Sequence, residues 1–191
     1  MRMKDRVTVL ACPSASSSRK LKLAVVGKSK NPRCLKNVNG SAHYLYQKNA
    51  RMDSHLFSKC FLDIFVPSVK SWQEKANLNG ALLLFDNCPA HPGTDFLKSG
   101  NIQCLFLPPN TTSLLQPMDQ GVLESLKRRH RKKLNRKLLF EGESASTVSI
   151  LESWKSVNIK DCIYMMSEAW ESTPQLTKLA KTCAEFFNWR R

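Results

Sequence analysis

Two aspartates stand where a carboxylate could hold a metal ion. Asp86 follows an apolar run in "ALLLFDNCPAH", residues 81–91, and Asp119 lies in "LPPNTTSLLQPMDQG", residues 107–121. Hydrolysis of a phosphodiester by two metal ions needs carboxylates from separate elements around a pair of divalent cations. Hard cations prefer oxygen ligands, and a strand end holds such a ligand rigidly. The two acids are therefore candidate ligands of a cation-binding nuclease centre.

Each acid also has a simpler interpretation. An Asp directly after a strand commonly forms a turn by bonding the backbone two residues further on. A carboxylate near a helix N-terminus is stabilised by the helix dipole by about 0.3–1 kcal/mol. His91, nearby, is interpreted as a loop residue rather than a ligand. The local patterns leave a structural and a metal-binding role open for both acids.

The charge distribution points to a polyanionic partner. Thirty Lys and Arg residues against fifteen Asp and Glu residues give a net charge of +15. An excess of this size favours nucleic acid as a partner, through contacts to phosphates. The most basic segment, residues 127–137, could equally be a solvated helix face or a nuclear-import patch. The segment 127–137 alone holds eight basic residues and no acid: Lys127, Arg128, Arg129, Arg131, Lys132, Lys133, Arg136 and Lys137.

Length and composition limit the class of protein. A chain of 191 residues with 42% hydrophobic residues can form one domain with a short appendage. No run approaches the roughly 20 apolar residues that span a bilayer, and the N-terminus does not resemble a signal peptide, so we expect a cytosolic or nuclear protein without a membrane partner. The seven cysteines are odd in number and dispersed. This spacing predicts reduced, packed thiols rather than disulfides or a zinc site.

The first half of the sequence predicts a hairpin and a long helix. Two β-rich segments, residues 5–13 and 20–27, are joined by a polar turn and are expected to pair antiparallel. Residues 28–43 are predicted to form a loop. A helix should begin at Asp53 or Ser54, kink or split at Pro67, and end at "NLNG", with Gly80 in the usual position beyond a helix.

The second half predicts parallel strands followed by helices. Residues 81–86 have the continuous apolar character of a strand that is buried on both faces, and residues 102–108 form the next strand after a crossover. A long helix should start near Pro117 and include the basic segment. Residues 141–147 interrupt it, and a helical tail follows. The predicted class is α/β, with one domain over residues 1–140 and a helical extension over residues 141–191.

Several segments together carry a resemblance to a known family. "LLLFDNCPAHP", "LFLPPNTTSLLQPMDQGVLESLKRRHRKK" and "SWKSVNIKDCIYMMSEAW" resemble the DDE superfamily endonuclease domain of pogo and Tigger transposases. They also resemble its host-derived relatives, the jerky proteins and centromere protein B. The similarity runs from about residue 5 to residue 172. It implies an RNase H-like fold, in which a mixed five-stranded sheet is flanked by helices.

The resemblance also implies a catalytic chemistry. In that family three aspartates bind two Mg²⁺ or Mn²⁺ ions, which cut DNA and join the freed 3′ end to a target. The second acid of the triad falls on Asp86 and the third on Asp119, with 32 residues between them. The first acid would lie on a strand upstream of "DRVTVL", and Asp5 matches an ordinary residue of the family. We therefore expect the first, central strand to be missing and no ion to be bound productively.

Three functions remain as hypotheses. The first is a nuclear DNA-binding protein derived from a transposable element, a partial DDE domain that contacts phosphates without sequence specificity and is catalytically inactive. The second is a fragment of an active, Mg²⁺-dependent DNA transposase or endonuclease. The third is a protein-interaction module without DNA binding, whose exposed strand edges pair with another chain. Related transposase-derived proteins are candidate partners of the first.

Overall fold

The fold was obtained as a computed structural model, which describes residues 6–14, 19–36, 40–109, 116, 118–140 and 147–173. Within these ranges, the side chains of residues 119, 120, 140 and 147–151 are not described. The described residues form two β-sheets and five α-helices. The mixed α/β class predicted from the sequence is confirmed.

The first sheet contains three strands. Strand β1, Thr8–Leu10, pairs antiparallel with β2, Ala24–Gly27, which confirms the predicted hairpin. Strand β3, His43–Tyr46, pairs parallel with the other edge of β2. The prediction of a loop over residues 28–43 was wrong at its end, because His43 begins this strand. The sequence "HYLY" shows no clean alternation, and its side chains are only partly covered.

The predicted long helix is present but is divided as it approaches Pro67. Helix α1, Ser54–Cys60, is capped by Asp53, whose carboxylate accepts a hydrogen bond from the Leu56 N–H. A π-helical turn, Phe61–Phe65, leads into α2, Val66–Ala76. The N–H of Val66 donates to the carbonyl of Phe61, five residues back. Pro67 thereby falls in the first turn of α2, where its missing N–H costs least.

Helix α2 ends differently from the prediction. Asn77 adopts the left-handed conformation with φ of 50°, and its N–H donates to the carbonyl of Gln73. Asparagine tolerates this conformation better than most residues, so it ends the helix at this position. The predicted role of Gly80 as the helix terminator was wrong, because it lies three positions beyond this cap.

The second sheet pairs two parallel strands. Strand β4, Ala81–Phe85, lies beside β5, Ile102–Phe106, as the crossover pattern predicted. The expectation that β4 is buried on both faces was wrong, since Leu82 remains 52% exposed. Among the described residues β5 is the only strand paired with β4. One edge of β4 therefore has no described strand beside it, and its apolar sequence is only partly covered.

Three helices complete the described chain. A π-helical turn, Met118–Val122, leads into α3, Leu123–Phe140, which contains the whole basic segment. Helices α4, Thr147–Ser156, and α5, Ile159–Glu171, follow. The side chain of Asn158 and that of Asp161 each accept a hydrogen bond from the backbone N–H of the other residue, which fixes the start of α5.

The apolar side chains form two cores. One joins the first sheet to α3 and α5 through Leu23, Leu126 and Trp170. The other joins α1, the first π-turn and α2 to the second sheet through Phe61, Phe85 and Ile102. Helix α5 thus packs in the first core. The predicted division into a domain over residues 1–140 and an extension over residues 141–191 stays a prediction.

Two further expectations concern membranes and thiols. None of the described helices is long and apolar enough to cross a bilayer. The six described cysteines are free of disulfides, and Cys183 lies outside the described residues. Burial raises the pKa of Cys12, Cys60 and Cys104 to about 11. These thiols are protonated at neutral pH and behave as small apolar groups.

Candidate cation site and nucleic-acid interface

Asp86 begins a tight turn immediately after β4. The N–H of Cys88 donates to the backbone carbonyl of Asp86 at 3.0 Å, and the N–H of His91 donates to the carbonyl of Cys88 at 2.9 Å. The turn is therefore closed by backbone groups. The carboxylate of Asp86 is 31% exposed and is not used for the side-chain turn that its position suggested.

His91 lies against one side of the Asp86 carboxylate and bonds the backbone of the same residue. Its Nδ1 lies 3.3 Å from Oδ1 of Asp86 and 2.8 Å from the backbone carbonyl of the same residue. The imidazole is fixed by two rings, with centroids 4.4 Å away at Phe57 and 5.0 Å away at Phe85. The other oxygen, Oδ2, has no partner among the described residues. Among the described residues, this arrangement leaves one carboxylate oxygen available to a hard cation.

The role of His91 was missed at the sequence level. A lone histidine five residues after an acid is more often an ordinary loop residue. The available signal was its place between two prolines, Pro89 and Pro92, directly after the apolar strand. Only the packing of Phe57 from a distant helix shows that the ring is directed back onto Asp86.

Asp119 lies within the π-helical turn that precedes α3. Its backbone belongs to Met118–Val122, and its side chain lies outside the described residues. Gly121, two residues later, has φ of 90°, a value that favours glycine. Met118, beside Asp119, borders the same cavity as Asp86. The predicted pairing of the two acids stays a prediction.

A larger acidic or thiol cluster is not seen in the described ranges. No three His, Cys, Asp or Glu side chains come together there as a metal-binding group. Of the metal ligands that the resemblance implies, the structure therefore describes one in full, the carboxylate of Asp86. Its chemistry fits Mg²⁺ or Mn²⁺, which prefer carboxylate oxygens.

The basic segment forms two different faces of α3. Lys133 bonds Glu168 at 2.7 Å and Lys137 bonds Asp161 at 3.2 Å, both across to α5. Arg129 is half-buried, and its Nε donates to Ser125 Oγ at 3.4 Å. The other five cations are exposed, and we call them the exposed basic face: Lys127, Arg128, Arg131, Lys132 and Arg136.

The exposed basic face is a compact stripe of positive charge. Its ends are nine residues apart, which corresponds to about 14 Å along the helix at 1.5 Å per residue. Its members recur at the spacings that place side chains on one side of a helix. The opposite side of α3 carries Leu126, which is buried in the core. The core and α5 therefore fix the helix with this stripe outward.

Comparison with known proteins agrees with the resemblance seen in the sequence. The family described as DDE superfamily endonuclease matches residues 4–179. The chain is 36% identical over 192 residues to human Tigger transposable element-derived protein 7, covering 91% of this chain and 34% of that protein. It is 35% identical over 175 residues to the human Jerky protein homolog, covering 90% of this chain and 29% of that protein.

A more distant relative shows the same extent of similarity. Mouse Tigger transposable element-derived protein 4 is 29% identical over 188 residues, covering 90% of this chain and 34% of that protein. No solved structure matches the chain. The chain spans about a third of the length of these relatives. Because the family match extends over most of its length, this chain belongs to the DDE superfamily endonuclease family.

Proposed function

We propose that this chain binds DNA through phosphate contacts made by the exposed basic face of α3. The observation that carries the proposal is the division of the basic segment into two faces. Lys133 and Lys137 are paired with acids of α5, whereas the five cations of the exposed basic face are directed outward. Duplex DNA presents one phosphate charge per about 1.7 Å of its axis, so a stripe about 14 Å long can meet several of them.

We expect this binding to position the protein on DNA without recognising a base sequence. Lys and Arg contacts to phosphates set orientation but carry no base information. We propose the nucleus as the compartment, since the same basic segment has the composition of an import signal. Related transposase-derived proteins are proposed partners, on the strength of the family membership alone.

As they stand, these 191 residues are proposed not to cleave DNA. Asp86, which has one carboxylate oxygen unpaired within the described ranges, and Asp119 are the proposed ligands of Mg²⁺ or Mn²⁺, and His91 lies beside the Asp86 carboxylate. A bound divalent ion would supply charge neutralisation at a phosphate. Two carboxylates fix a pair of such ions poorly, because each ion requires several well-placed oxygens.

Two alternatives remain. Within a longer polypeptide that supplies a further carboxylate, the same residues would form part of a Mg²⁺-dependent endonuclease or transposase. The RNase H-like fold, which we propose for this chain, is compatible with that alternative. A protein-interaction module without DNA binding is the other, and it is distinguished by an absence of salt-dependent DNA affinity.

Salt titration of DNA affinity tests the main proposal. Five phosphate contacts predict a slope of about −4.5 for log K against log salt concentration on duplex DNA, at about −0.9 per contact. Replacing Arg131 by Gln should make the slope shallower by about 0.9. Lys133→Gln is the matched control two residues away, and we expect a smaller change, because Glu168 already neutralises that cation. A wild-type slope near zero would exclude phosphate binding.

Two further assays address catalysis and compartment. A nicking assay on supercoiled plasmid with Mg²⁺ or Mn²⁺ should show no cleavage above background. Cleavage that disappears in Asp86→Asn would overturn the inactive assignment and support the enzyme alternative. A fluorescent fusion should accumulate in the nucleus and lose that accumulation when the exposed basic face is replaced by Gln.

A further inference from the structure

The first sheet and its connections carry positive charge that is separate from the exposed basic face of α3. Residues 6–52 contain ten Lys and Arg residues and no Asp or Glu. Three of these cations are exposed in the connection that follows β2, at Lys30, Arg33 and Lys36. Among the residues that the structure describes, no carboxylate is paired with any of the three. We call this connection, residues 28–36, the basic loop.

A short helical turn sets the direction of two of these cations. Residues Arg33–Leu35 form a 3₁₀ turn, and the Lys36 N–H donates to the Arg33 carbonyl at 3.3 Å. Side chains three residues apart on such a turn lie one above the other, so Arg33 and Lys36 project from the same side. Two cations held side by side repel each other. A bound anion would relieve that repulsion.

The basic loop is fixed to the first sheet. The Tyr44 hydroxyl donates to the Ser29 carbonyl at 2.7 Å. The Tyr44 ring lies against Gly27, where an added Cβ would overlap the Tyr44 hydroxyl oxygen, so this close approach requires glycine. The 3₁₀ turn also packs against α5. The cations therefore project from an anchored backbone, and binding of a ligand would not have to order the loop first.

An exposed aromatic side chain lies next to the basic loop. Tyr46 is opposite Gly27 in the parallel pair of β3 with β2, and it is 45% exposed. Alternate residues of a strand share one face, so Tyr46 lies on the face of the sheet on which Tyr44 reaches Ser29. The basic loop begins directly after Gly27. An accessible ring and a set of cations are thus brought together at the β3 edge of the first sheet.

We propose that Tyr46 and the basic loop form a contact site for single-stranded DNA. Lys30, Arg33 and Lys36 would contact phosphates of the strand, and an unpaired base would stack on the Tyr46 ring. In duplex DNA the faces of the bases are already stacked on each other, so the ring would add nothing there. An acidic peptide would pair with the cations but would gain no base stacking. The combination of a ring with cations therefore favours a single strand.

This site shares no residue with the exposed basic face of α3, so the two surfaces can be tested separately. The exposed basic face is proposed to bind duplex phosphates, whereas the site at Tyr46 requires an unpaired base. Replacement of all five cations of the exposed basic face by Gln leaves the site at Tyr46 intact. Single-strand binding by that variant, dependent on the basic loop, would support the site even if duplex binding through α3 were refuted.

Fluorescence anisotropy with a labelled thymidine oligonucleotide of about 12 nucleotides tests the role of the ring. Tyr46→Ala should weaken binding of this single strand by about fivefold or more, the loss expected for one stacked base. Binding of a duplex of the same length should change by less than about twofold, since it offers no base to the ring. Tyr46→Phe should bind like the wild type, because the ring remains. Phe96→Ala is the control, since Phe96 is 76% exposed and precedes β5 of the second sheet.

A pair of triple variants tests the role of the cations. Replacing Lys30, Arg33 and Lys36 by Gln should make the slope of log K against log salt concentration shallower by about 2 on the single strand, at about 0.7 per phosphate contact. The control changes the net charge equally by replacing three exposed lysines of α1 and α2 with Gln: Lys59, Lys70 and Lys75. We expect a smaller change of slope in the control, because cations that do not contact phosphates release no counterions.

Several results would overturn the proposal. One is the absence of salt-dependent single-strand binding by the variant whose exposed basic face is neutralised. Another is an equal loss of single-strand and duplex affinity in Tyr46→Ala, or an equal effect of the two triple variants. Competition by polyglutamate that equals competition by unlabelled oligonucleotide would assign the site to acidic polypeptides instead. Far-ultraviolet circular dichroism of each variant establishes that it folds.

Discussion

Replacement of Lys20 by Met should loosen the attachment of α5 to the first sheet. The Lys20 ammonium donates to the carbonyls of Trp170 at 2.9 Å and Glu171 at 3.2 Å, and also to the carbonyl of Thr173. It lies 5.4 Å from the centroid of the Trp170 ring. One cation thus caps the C-terminus of α5 and stacks on its last aromatic side chain.

The expected magnitude follows from these contacts. A cation at a helix C-terminus contributes about 0.3–1 kcal/mol, and a cation over an aromatic ring about 0.5–1 kcal/mol. Burial and the nearby charge of Arg129 lower the pKa of Lys20, which shows that desolvation offsets part of this gain. We therefore expect Lys20→Met to lower the free energy of unfolding by about 1–2 kcal/mol. For a chain of this size that is a decrease in Tm of about 2–8 °C.

Lys22→Met is the matched control. Lys22 donates to one exposed carbonyl, that of Gly40, at 3.1 Å, and should cost no more than about 0.5 kcal/mol. Thermal unfolding followed by circular dichroism measures both variants at equal pH and salt. A Tm of Lys20→Met within 1 °C of wild type, or equal Tm values for the two variants, would refute a stabilising role of Lys20. Because α5 also holds α3 through Glu168 and Asp161, loss of this clamp should increase amide exchange in both helices.

Three shorter predictions concern buried groups. Phe61→Ala should lower the free energy of unfolding by about 3–5 kcal/mol, because the side chain is 2% exposed in the second core; denaturant unfolding measures it. Burial lowers the pKa of His130 below 6.5, so as pH falls the unfolded state takes up a proton before the folded state does. The contribution of this group to stability should therefore be complete above pH 6.5 and decline as pH falls below that value. In His130→Gln that decline should be shallower, and an unchanged pH profile of Tm would contradict this. Iodoacetamide should label Cys60 and Cys104 at about pH 8 roughly 100-fold more slowly than a free thiol, because their pKa values are about 11. Mass spectrometry measures the labelling, and rapid labelling would disprove the burial of these thiols.

Local patterns were sufficient where neighbouring residues determine the structure. The cap at Asp53, the effect of Pro67 and the parallel pair β4–β5 all follow from short segments. The third strand was missed because "HYLY" gains its place only by pairing with β2, a contact about twenty residues away. Asn77 took the role assigned to Gly80, since asparagine also tolerates the left-handed conformation.

The candidate site also combines features that local sequence predicts with features that depend on distant contacts. Asp86 could be predicted because an acid at a strand end is a local feature. The partition of the basic segment into a paired face and an exposed face could not be predicted, because it depends on the acids Glu168 and Asp161 more than twenty residues away. No single segment contains that information.

The π-turn at Phe61–Phe65 sets the rotational phase of everything after it in that helix. It accommodates one more residue than an α-helical turn would, and each residue turns an α-helix by about 100°. Deletion of one residue from this turn would give a more regular helix. It would also rotate Val69 and Trp72 away from the second sheet and leave its core uncovered. A more regular helix would therefore come with the loss of a hydrophobic core, and we expect deletion of one residue from this turn to destabilise the protein.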